Sequence, residues 1–177
     1  HNFDRGVLSV PSGKTLYIAG GAVVKAKILC KNVNDVRICG RGILLKGERG
    51  VEITNSTNIE VDDIIIINPQ HYTVYGGQSK GIKIKNIRSF SAKGWADGID
   101  LMSCSDVLVE GVFLRTSDDC IALYCHRWEF YGDGRNVVVR SSTLWADVAH
   151  PIMMGSKVNT DPGKAETMDN VTFTNIK

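Results

Sequence analysis

The feature of this sequence that most limits its fold is an internal repeat. In six segments a turn-forming residue precedes an apolar residue, and apolar and polar residues then alternate. The apolar residues that open the segments are Val36, Ile59, Ile82, Val107, Val137 and Val171. Successive members are 23, 23, 25, 30 and 34 residues apart. A period of about 23 residues predicts a solenoid in which each repeat forms one coil.

The residues that precede these positions predict turns, because all belong to types that tolerate a left-handed backbone or close a turn with their side chain. They are Asp35, Asn58, Gly81, Asp106, Asn136 and Asn170. β-Branched residues follow each of them, which favours strands, and no stretch has sustained helical periodicity. Leucine-rich repeats have a similar length, but their leucine and asparagine pattern is missing.

We therefore predict an all-β protein, a parallel β-helix that forms a single domain over residues 1–177. The longer spacings of the last two repeats indicate loops inserted into those coils. The alternative is an antiparallel sandwich with evenly spaced strands. The sequence between the segments contains few hairpin turn signals, which argues against this alternative.

Composition argues against several other classes. The 177 residues carry a net charge of +2, and no run of basic residues indicates nucleic-acid binding. The longest apolar run, at 64–67, is too short to cross a membrane. The five cysteines cannot all pair within one chain, and most lie in apolar runs, where cysteine is usually a small buried hydrophobe. A metal site made from them is disfavoured, and a disulfide between two of them is left open.

Candidate catalytic residues lie where successive coils should stack. Asp118 and Asp119 come directly before the apolar segment 120–124, and Asp97 lies 22 residues before Asp119. His150 lies 31 residues after Asp119, which is one coil plus an insert of about eight residues. Because residues one coil apart stack about 5 Å apart, we expect these four side chains on one surface patch. Clustered carboxylates push their pKa values apart, as the acid and base of glycoside hydrolysis require.

For several other polar and aromatic residues, the repeat alone does not determine whether the side chain belongs to the site. Asp100 alternates with apolar residues and could point to either side of a strand, so we leave it outside the core set. The pair Asp62 and Asp63 lacks stacked partners of this kind, and we interpret it as part of a turn. We expect Trp145 in the core. Trp95, which precedes the acidic cluster, could border the site or fill a turn.

The segment 125–134 is the candidate for the insert that precedes His150. Loop insertions in repeat proteins tend to lie on the binding face. Arg127 in this insert could pair with a substrate carboxylate or form a salt bridge within the loop. Trp128 or Trp145 could stack on a sugar ring. We assign His126, Arg127 and Trp128 to substrate binding.

Three motifs carry a resemblance to a known family. They are DGID at 97–100, SDDCIAL at 117–123 and AHPIMMGS at 149–156. In combination they resemble glycoside hydrolase family 28, the polygalacturonase-like enzymes, over about residues 58–177. The resemblance implies a right-handed parallel β-helix that hydrolyses pectic polymers with inversion. It implies a secreted or periplasmic protein without a cofactor.

The resemblance also implies a role for individual residues. Asp118 matches the general acid that protonates the leaving oxygen. Asp97 and Asp119 match the pair that holds and activates the attacking water. His150 matches the histidine that supports the protonation state of the acid and contacts the substrate. Gly155 and Ser156 match the end of the histidine segment, and we assign them to substrate binding.

The sequence departs from the family pattern at three places. Residues 95–96 are Trp-Ala where the family has Asn-Thr, and residues 149 and 151 are Ala and Pro where it has glycines. The family's Arg-Ile-Lys segment, which binds the substrate carboxylate, should follow the last residue, Lys177. We therefore expect a fragment of a longer β-helix that lacks its C-terminal coils, which leaves the uronic-acid substrate open.

The predicted function is an inverting glycoside hydrolase that acts on a galacturonan-type pectic polymer or a related plant polysaccharide. The main alternative is a non-catalytic β-helix that binds carbohydrate or has a structural role. A β-helical pectate lyase would need a calcium-binding acid cluster and a basic residue. Dextranases of family 49 share the three acids but not the histidine segment. We expect a monomer whose partner is a polysaccharide, not nucleic acid or a membrane.

Overall fold

The computed structural model describes residues 6–155, 159, 161 and 163–177. All pairings between its strands are parallel, and each strand pairs with the equivalent strand of the next coil. Three sheets therefore run along one solenoid axis. This confirms the predicted all-β, right-handed parallel β-helix, the hand that parallel crossover connections adopt.

The first sheet contains seven strands, one from each coil. In chain order within the sheet they are β1 (Val7–Ser9), β4 (Lys27–Lys31), β7 (Val51–Thr54), β10 (Val74–Gly77), β13 (Ile99–Met102), β16 (Ile121–Tyr124) and β18 (Ile152–Met154). The candidate catalytic residues lie on the turn that leads into this sheet, or at the start of its strands.

The other two sheets complete each coil. The second sheet consists of β2 (Thr15–Ile18), β5 (Asn34–Gly40), β8 (Thr57–Asp62), β11 (Lys80–Lys85), β14 (Ser105–Glu110), β17 (Gly134–Ala146) and β19 (Met168–Ile176). The third consists of β3 (Val23–Val24), β6 (Ile43–Leu45), β9 (Ile65–Ile67), β12 (Arg88–Phe90), β15 (Phe113–Thr116) and the end of β17. The long strand β17 takes part in both sheets because it bends at their shared corner.

The strand register follows the sequence repeat residue by residue. The six apolar residues that open the segments pair in one row of the second sheet, from Val36 to Val171. The six residues before them all have positive φ, between 49° and 69°. Asparagine side chains link these turns between coils, since Nδ2 of Asn58 lies 2.6 Å from Oδ1 of Asp35 and Nδ2 of Asn136 lies 2.7 Å from Oδ1 of Asp106. The sequence pattern therefore marks one corner of every coil.

The core is a set of stacked apolar rows inside the solenoid. One row of the second sheet contains Ile38, Val61, Ile84, Val109 and Val139, none of which is accessible to solvent. Removing such a side chain from water contributes about 2 kcal/mol. A single coil cannot bury these residues, so stacking between coils supplies the core.

Both extra loops lie at the same corner of the solenoid. In the coil of β13, two residues connect the first sheet to the second, whereas residues 125–133 make this connection after β16 and residues 155–167 after β18. The inserted loops that the spacing predicts are thus confirmed, and the first follows the predicted segment 125–134 closely. The first of them follows the end of the first sheet, and its Arg127 lies at the candidate site.

The position of Trp145 differs from the prediction. Trp145 was expected in the core, but its side chain is 53% exposed on the outside of the third sheet, where it packs against the guanidinium of Arg115. That placement follows from the alternation of β17, in which the neighbour Leu144 points inward.

All five cysteines have free thiols, and four of them are buried. In the described part of the chain no helix is long and apolar enough to span a membrane.

Candidate active site

Three of the predicted catalytic residues form one row across three coils. The pairing of Ile99 with Ile121 and of Ile121 with Ile152 sets the register. Two positions before these residues lie Asp97, Asp119 and His150. The backbone N–H that follows each residue donates to the carbonyl of the next coil, from Gly98 to Asp119 at 2.8 Å and from Cys120 to His150 at 2.9 Å. The stack thus fixes the spacing of these side chains.

The hydrogen bonds of the cluster distinguish its carboxylates. Oδ1 of Asp119 accepts from the backbone N–H of His150 at 3.0 Å and lies 3.1 Å from Nδ1 of the same histidine. Oδ1 of Asp118 accepts from the backbone N–H of Asp119 at 3.1 Å. The imidazole of His150 is largely exposed, so it faces the solvent side of the cluster.

The acids open into a cavity of about 190 Å³ on the outer side of the first sheet. It is lined by His71, Tyr72, Trp95, Asp97, Asp118, Asp119, Tyr124, Arg127 and Met153. All three predicted catalytic aspartates therefore face one shared space. His150 reaches the cluster through Asp119 and does not line this cavity.

Asp97 has the pKa suited to proton transfer near neutral pH. Burial, reinforced by the negative charges of Asp118 and Asp119, raises the pKa of Asp97 to about 7. A carboxyl with such a pKa exists in both protonation states under physiological conditions.

Asp100 is an acidic residue of the site that sequence reasoning left aside. Its carboxyl is completely buried, and neither oxygen has a hydrogen-bond partner among the described residues. Burial, followed by the negative charge of Asp97, raises the pKa of Asp100 well above its ordinary range. Asp100 points to the outer face of the first sheet, between Tyr75 and Ala122 of the adjacent coils. That face is buried because the insert covers it, which alternation alone does not reveal.

His71 and Tyr72 also line the cavity and were missed. Tyr72 occupies the position of Asp97 on the preceding coil, since the carbonyl of Asp97 accepts from the N–H of Thr73 at 3.0 Å. Extending the coil spacing by one more repeat toward the N-terminus would have found both residues. Burial and the positive charges of Arg49 and Arg127 lower the pKa of His71, which favours its neutral form.

Two residues of the first insert, Arg127 and Trp128, lie at or beside the cavity. Arg127 lines the cavity, and its Nη2 donates to the hydroxyl of Tyr72 at 3.2 Å. The guanidinium stacks on the rings of Tyr124 and Trp128, at 4.5 and 5.2 Å from their centres. Trp128 lies beside the cavity with its ring 49% exposed. Arg127 therefore contacts aromatic groups of the site, whereas a loop salt bridge was the alternative expectation.

Besides Trp128, two other residues predicted to bind substrate, His126 and Gly155, do not line the cavity. The imidazole Nδ1 of His126 lies 3.2 Å from Oε1 of Glu166, in contact with the second insert. Glu166 also accepts from the N–H of Gly132 at 2.8 Å, so this contact ties the two inserts together. Gly155 has a φ of 74° and donates its N–H to the carbonyl of Leu123. Ser156, the remaining predicted residue, lies outside the described residues.

Gly98 is required for the close approach of two coils at the site. A Cβ at this position would overlap the carbonyl of Cys120 on the next coil and crowd the side chain of Leu114. We expect Gly98→Ala to lower the free energy of unfolding by about 2 kcal/mol or more, because well-packed backbone must move. Gly94→Ala is the matched control, since a Cβ there has open space. Urea unfolding followed by circular dichroism measures both, and equal midpoints would contradict the prediction.

The fold and the acidic row define a parallel β-helix with carboxylates clustered on one sheet, and comparison with known proteins identifies the family. The family model described as "Glycosyl hydrolases family 28" matches residues 45–177. The chain belongs to this family.

Curated relatives and solved structures agree with the assignment. A probable polygalacturonase of Vitis vinifera is 24% identical in an alignment of 153 residues that covers 72% of this chain and 31% of the relative. A polygalacturonase of Juniperus ashei is 24% identical over 83% of this chain and 26% of its own length. The chain thus spans about a quarter to a third of these relatives.

The same fold occurs in longer solved proteins. An exopolygalacturonase from Thermotoga maritima superposes with a TM-score of 0.79 at 16% identity, over 97% of this chain and 55% of that one. A polygalacturonase from Erwinia carotovora has a TM-score of 0.71 at 15% identity, over 97% of this chain and 60% of that one. At such low identity these structures support the fold.

Proposed function

We propose that this chain carries the catalytic cluster of an inverting glycoside hydrolase that cleaves galacturonan-type pectic polymers outside the cell. The observation that carries the proposal is the convergence of Asp97, Asp118 and Asp119 on one cavity, with His150 held against Asp119. Family membership and the polygalacturonase relatives support the same reaction and substrate class.

Each acid has a proposed part in a single displacement. Asp118 protonates the glycosidic oxygen as its bond to the anomeric carbon breaks. A water held by Asp97 and Asp119 attacks that carbon from the opposite face and gives its proton to one of the two carboxylates. This geometry requires space for the water between acid and base, with carboxyl groups about 6.5–9.5 Å apart. His150 positions Asp119 and supports the charge balance of the cluster.

The raised pKa of Asp97 indicates how the cluster begins each cycle. In the free site, Asp97 is partly protonated near neutral pH, because its pKa is raised to about 7. The reaction needs that proton on Asp118 and an ionised Asp97 beside the water. The acids belong to one interacting group, so substrate binding next to Asp118 redistributes the proton within the cluster.

Arg127 is the proposed contact for the substrate carboxylate within this chain. Its guanidinium lines the cavity next to the acids and donates to a tyrosine hydroxyl rather than to a carboxylate. A planar guanidinium recognises a carboxylate with paired hydrogen bonds. Trp128, stacked on Arg127, offers a ring face to a sugar.

Reducing-sugar release from a panel of polymers tests the proposal. We expect activity on polygalacturonate, less on highly methyl-esterified pectin, and little on neutral galactan, because only the first offers a full set of carboxylates. NMR of the first products should show the inverted anomer. A retained anomer would overturn the mechanism, and an unsaturated product would indicate a lyase. Binding of polygalacturonate without turnover would favour the non-catalytic alternative.

A further inference from the structure

The row of stacked residues at the site continues beyond Asp97 toward the N-terminal coils. The register of β7, β10 and β13 places Tyr72 and then Arg49 at the next two positions of the row. Two coils separate Arg49 from Asp97, which corresponds to about 10 Å along the solenoid axis. A polymer lying parallel to this axis would therefore reach Arg49 with sugar residues that are remote from the scissile bond.

Arg49 belongs to a group of cations and aromatic rings beside the cavity. Its guanidinium carbon lies 4.7 Å from the ring centre of Tyr75 and 5.9 Å from that of Trp128. Trp128 thus lies close to two guanidinium groups, those of Arg49 and Arg127. Its half-exposed ring is also 6.5 Å from the ring of His71. Arg49 also donates from Nη1 to Oε2 of Glu52 at 2.8 Å, so part of its charge is compensated within the protein. The arrangement therefore combines a flat apolar surface with the guanidinium groups of Arg49 and Arg127.

Unsatisfied polar atoms of the described residues concentrate at the same face. Five buried side-chain atoms lack a hydrogen-bond partner in the described part of the chain, and all belong to the first sheet or to the turn leading into it. They are Nε of Arg49, Oγ1 of Thr54, Nδ1 of His71 and both carboxyl oxygens of Asp100. Buried polar groups without partners are rare in native proteins, and each needs an explanation such as strain, a catalytic role or a bound water or ion.

We propose that Arg49, His71 and Trp128 form a subsite for an acidic sugar residue, on the N-terminal side of the catalytic cluster. The inference rests on the proposed function and extends it. The sugar ring stacks on Trp128, its carboxylate pairs with Arg49, and the neutral His71 hydrogen-bonds a hydroxyl group. A neutral sugar lacks the acceptor that matches Arg49. The substrate must contain several sugar residues to occupy this subsite and the cleavage site together.

Binding to an inactive chain tests the subsite separately from catalysis. Galacturonate oligomers of one to six residues are titrated calorimetrically into the Asp118→Asn chain and into the same chain that also carries Arg49→Gln. We expect Arg49→Gln to weaken the longest oligomers about tenfold, the effect of losing one charge-assisted hydrogen bond, and to leave the monomer unchanged. Arg49→Lys keeps the charge and should lose less. Trp128→Ala should weaken the same long oligomers.

Arg37→Gln is the matched control. Like Arg49, which pairs with Glu52, Arg37 forms salt bridges with carboxylates, but it lies on the second sheet. The subsite is refuted if Arg49→Gln weakens the long oligomers no more than Arg37→Gln does. It is equally refuted if neutral galactose oligomers bind as tightly as acidic ones. Reducing-sugar release by the unmodified chain reports on the proposed function independently, so failure of one inference is distinguishable from failure of the other.

Discussion

Asp118→Asn is expected to reduce the release of reducing sugar from polygalacturonate by at least about a thousandfold. The asparagine side chain keeps the shape of Asp118 but has no acidic proton for the leaving oxygen, and general acid catalysis contributes about 10²–10⁴-fold. The loss should appear in kcat, because Asp118 lines the cavity without anchoring a remote part of the substrate. Initial rates over a range of polymer concentrations separate kcat from KM.

Asp63→Asn provides the matched control for this experiment. Asp63 also follows an aspartate, but it lies in a turn with a φ of 61° and pairs with Arg41 on the surface. Asparagine tolerates this backbone conformation, so the variant should fold and keep its activity. Comparable losses in Asp63→Asn and Asp118→Asn would contradict the assignment, since the effect would then reflect folding of the coil. Full activity of Asp118→Asn would remove Asp118 from the proposed mechanism.

Asp97→Asn is expected to increase stability at alkaline pH while it abolishes activity. The pKa of Asp97 is about 7 in the folded protein and about 3.9 when unfolded. Between these values the folded state binds a proton that the unfolded state lacks, so the contribution of Asp97 to stability falls as the pH rises from 4 to 7. Asparagine avoids this loss. The variant should exceed the original chain by up to about 4 kcal/mol at pH 8 and by little at pH 4.

Urea unfolding between pH 4 and 8 measures this difference. Asp106→Asn offers a control of opposite sign, because a hydrogen bond from Asn136 and the charge of Lys80 lower the pKa of Asp106. A carboxylate with a lowered pKa stabilises the folded state above its unfolded pKa and loses that contribution as the pH falls. Asp106→Asn should therefore be less stable than the original chain at pH 8. A parallel pH dependence for both variants would contradict the environment described for Asp97.

The sequence was informative wherever coil spacing determines position. The six segment openings pair in one row, and adding one coil to Asp97 gives Asp119. Predicting the position of His150 required only one further quantity, the length of the insert. These positions follow because parallel pairing between coils leaves no freedom of register once the apolar face must be buried.

Residues whose surroundings depend on the loops could not be predicted in the same way. Asp100 points outward, which normally means toward solvent, but the insert buries it. Trp145 is large and apolar, yet the alternation of β17 places it outside. The position of Arg127 depends on how the loop folds over Tyr124, and no periodicity extends into that loop. Loop conformation is set by contacts that are distant in sequence, so repeats do not encode it.

Because both inserts lie at one corner of the solenoid, the position of the acidic row does not depend on the length of the loops. The register of the first sheet continues unchanged across them, from Ile121 to Ile152, although the coil is lengthened to 31 residues. The acidic row can therefore remain fixed while loops of different length and composition are exchanged beside it. Such modularity would let specificity evolve, or be engineered, without rebuilding the reaction centre. Transplanting the segment 125–133 between family members is a direct route to altered polymer preference.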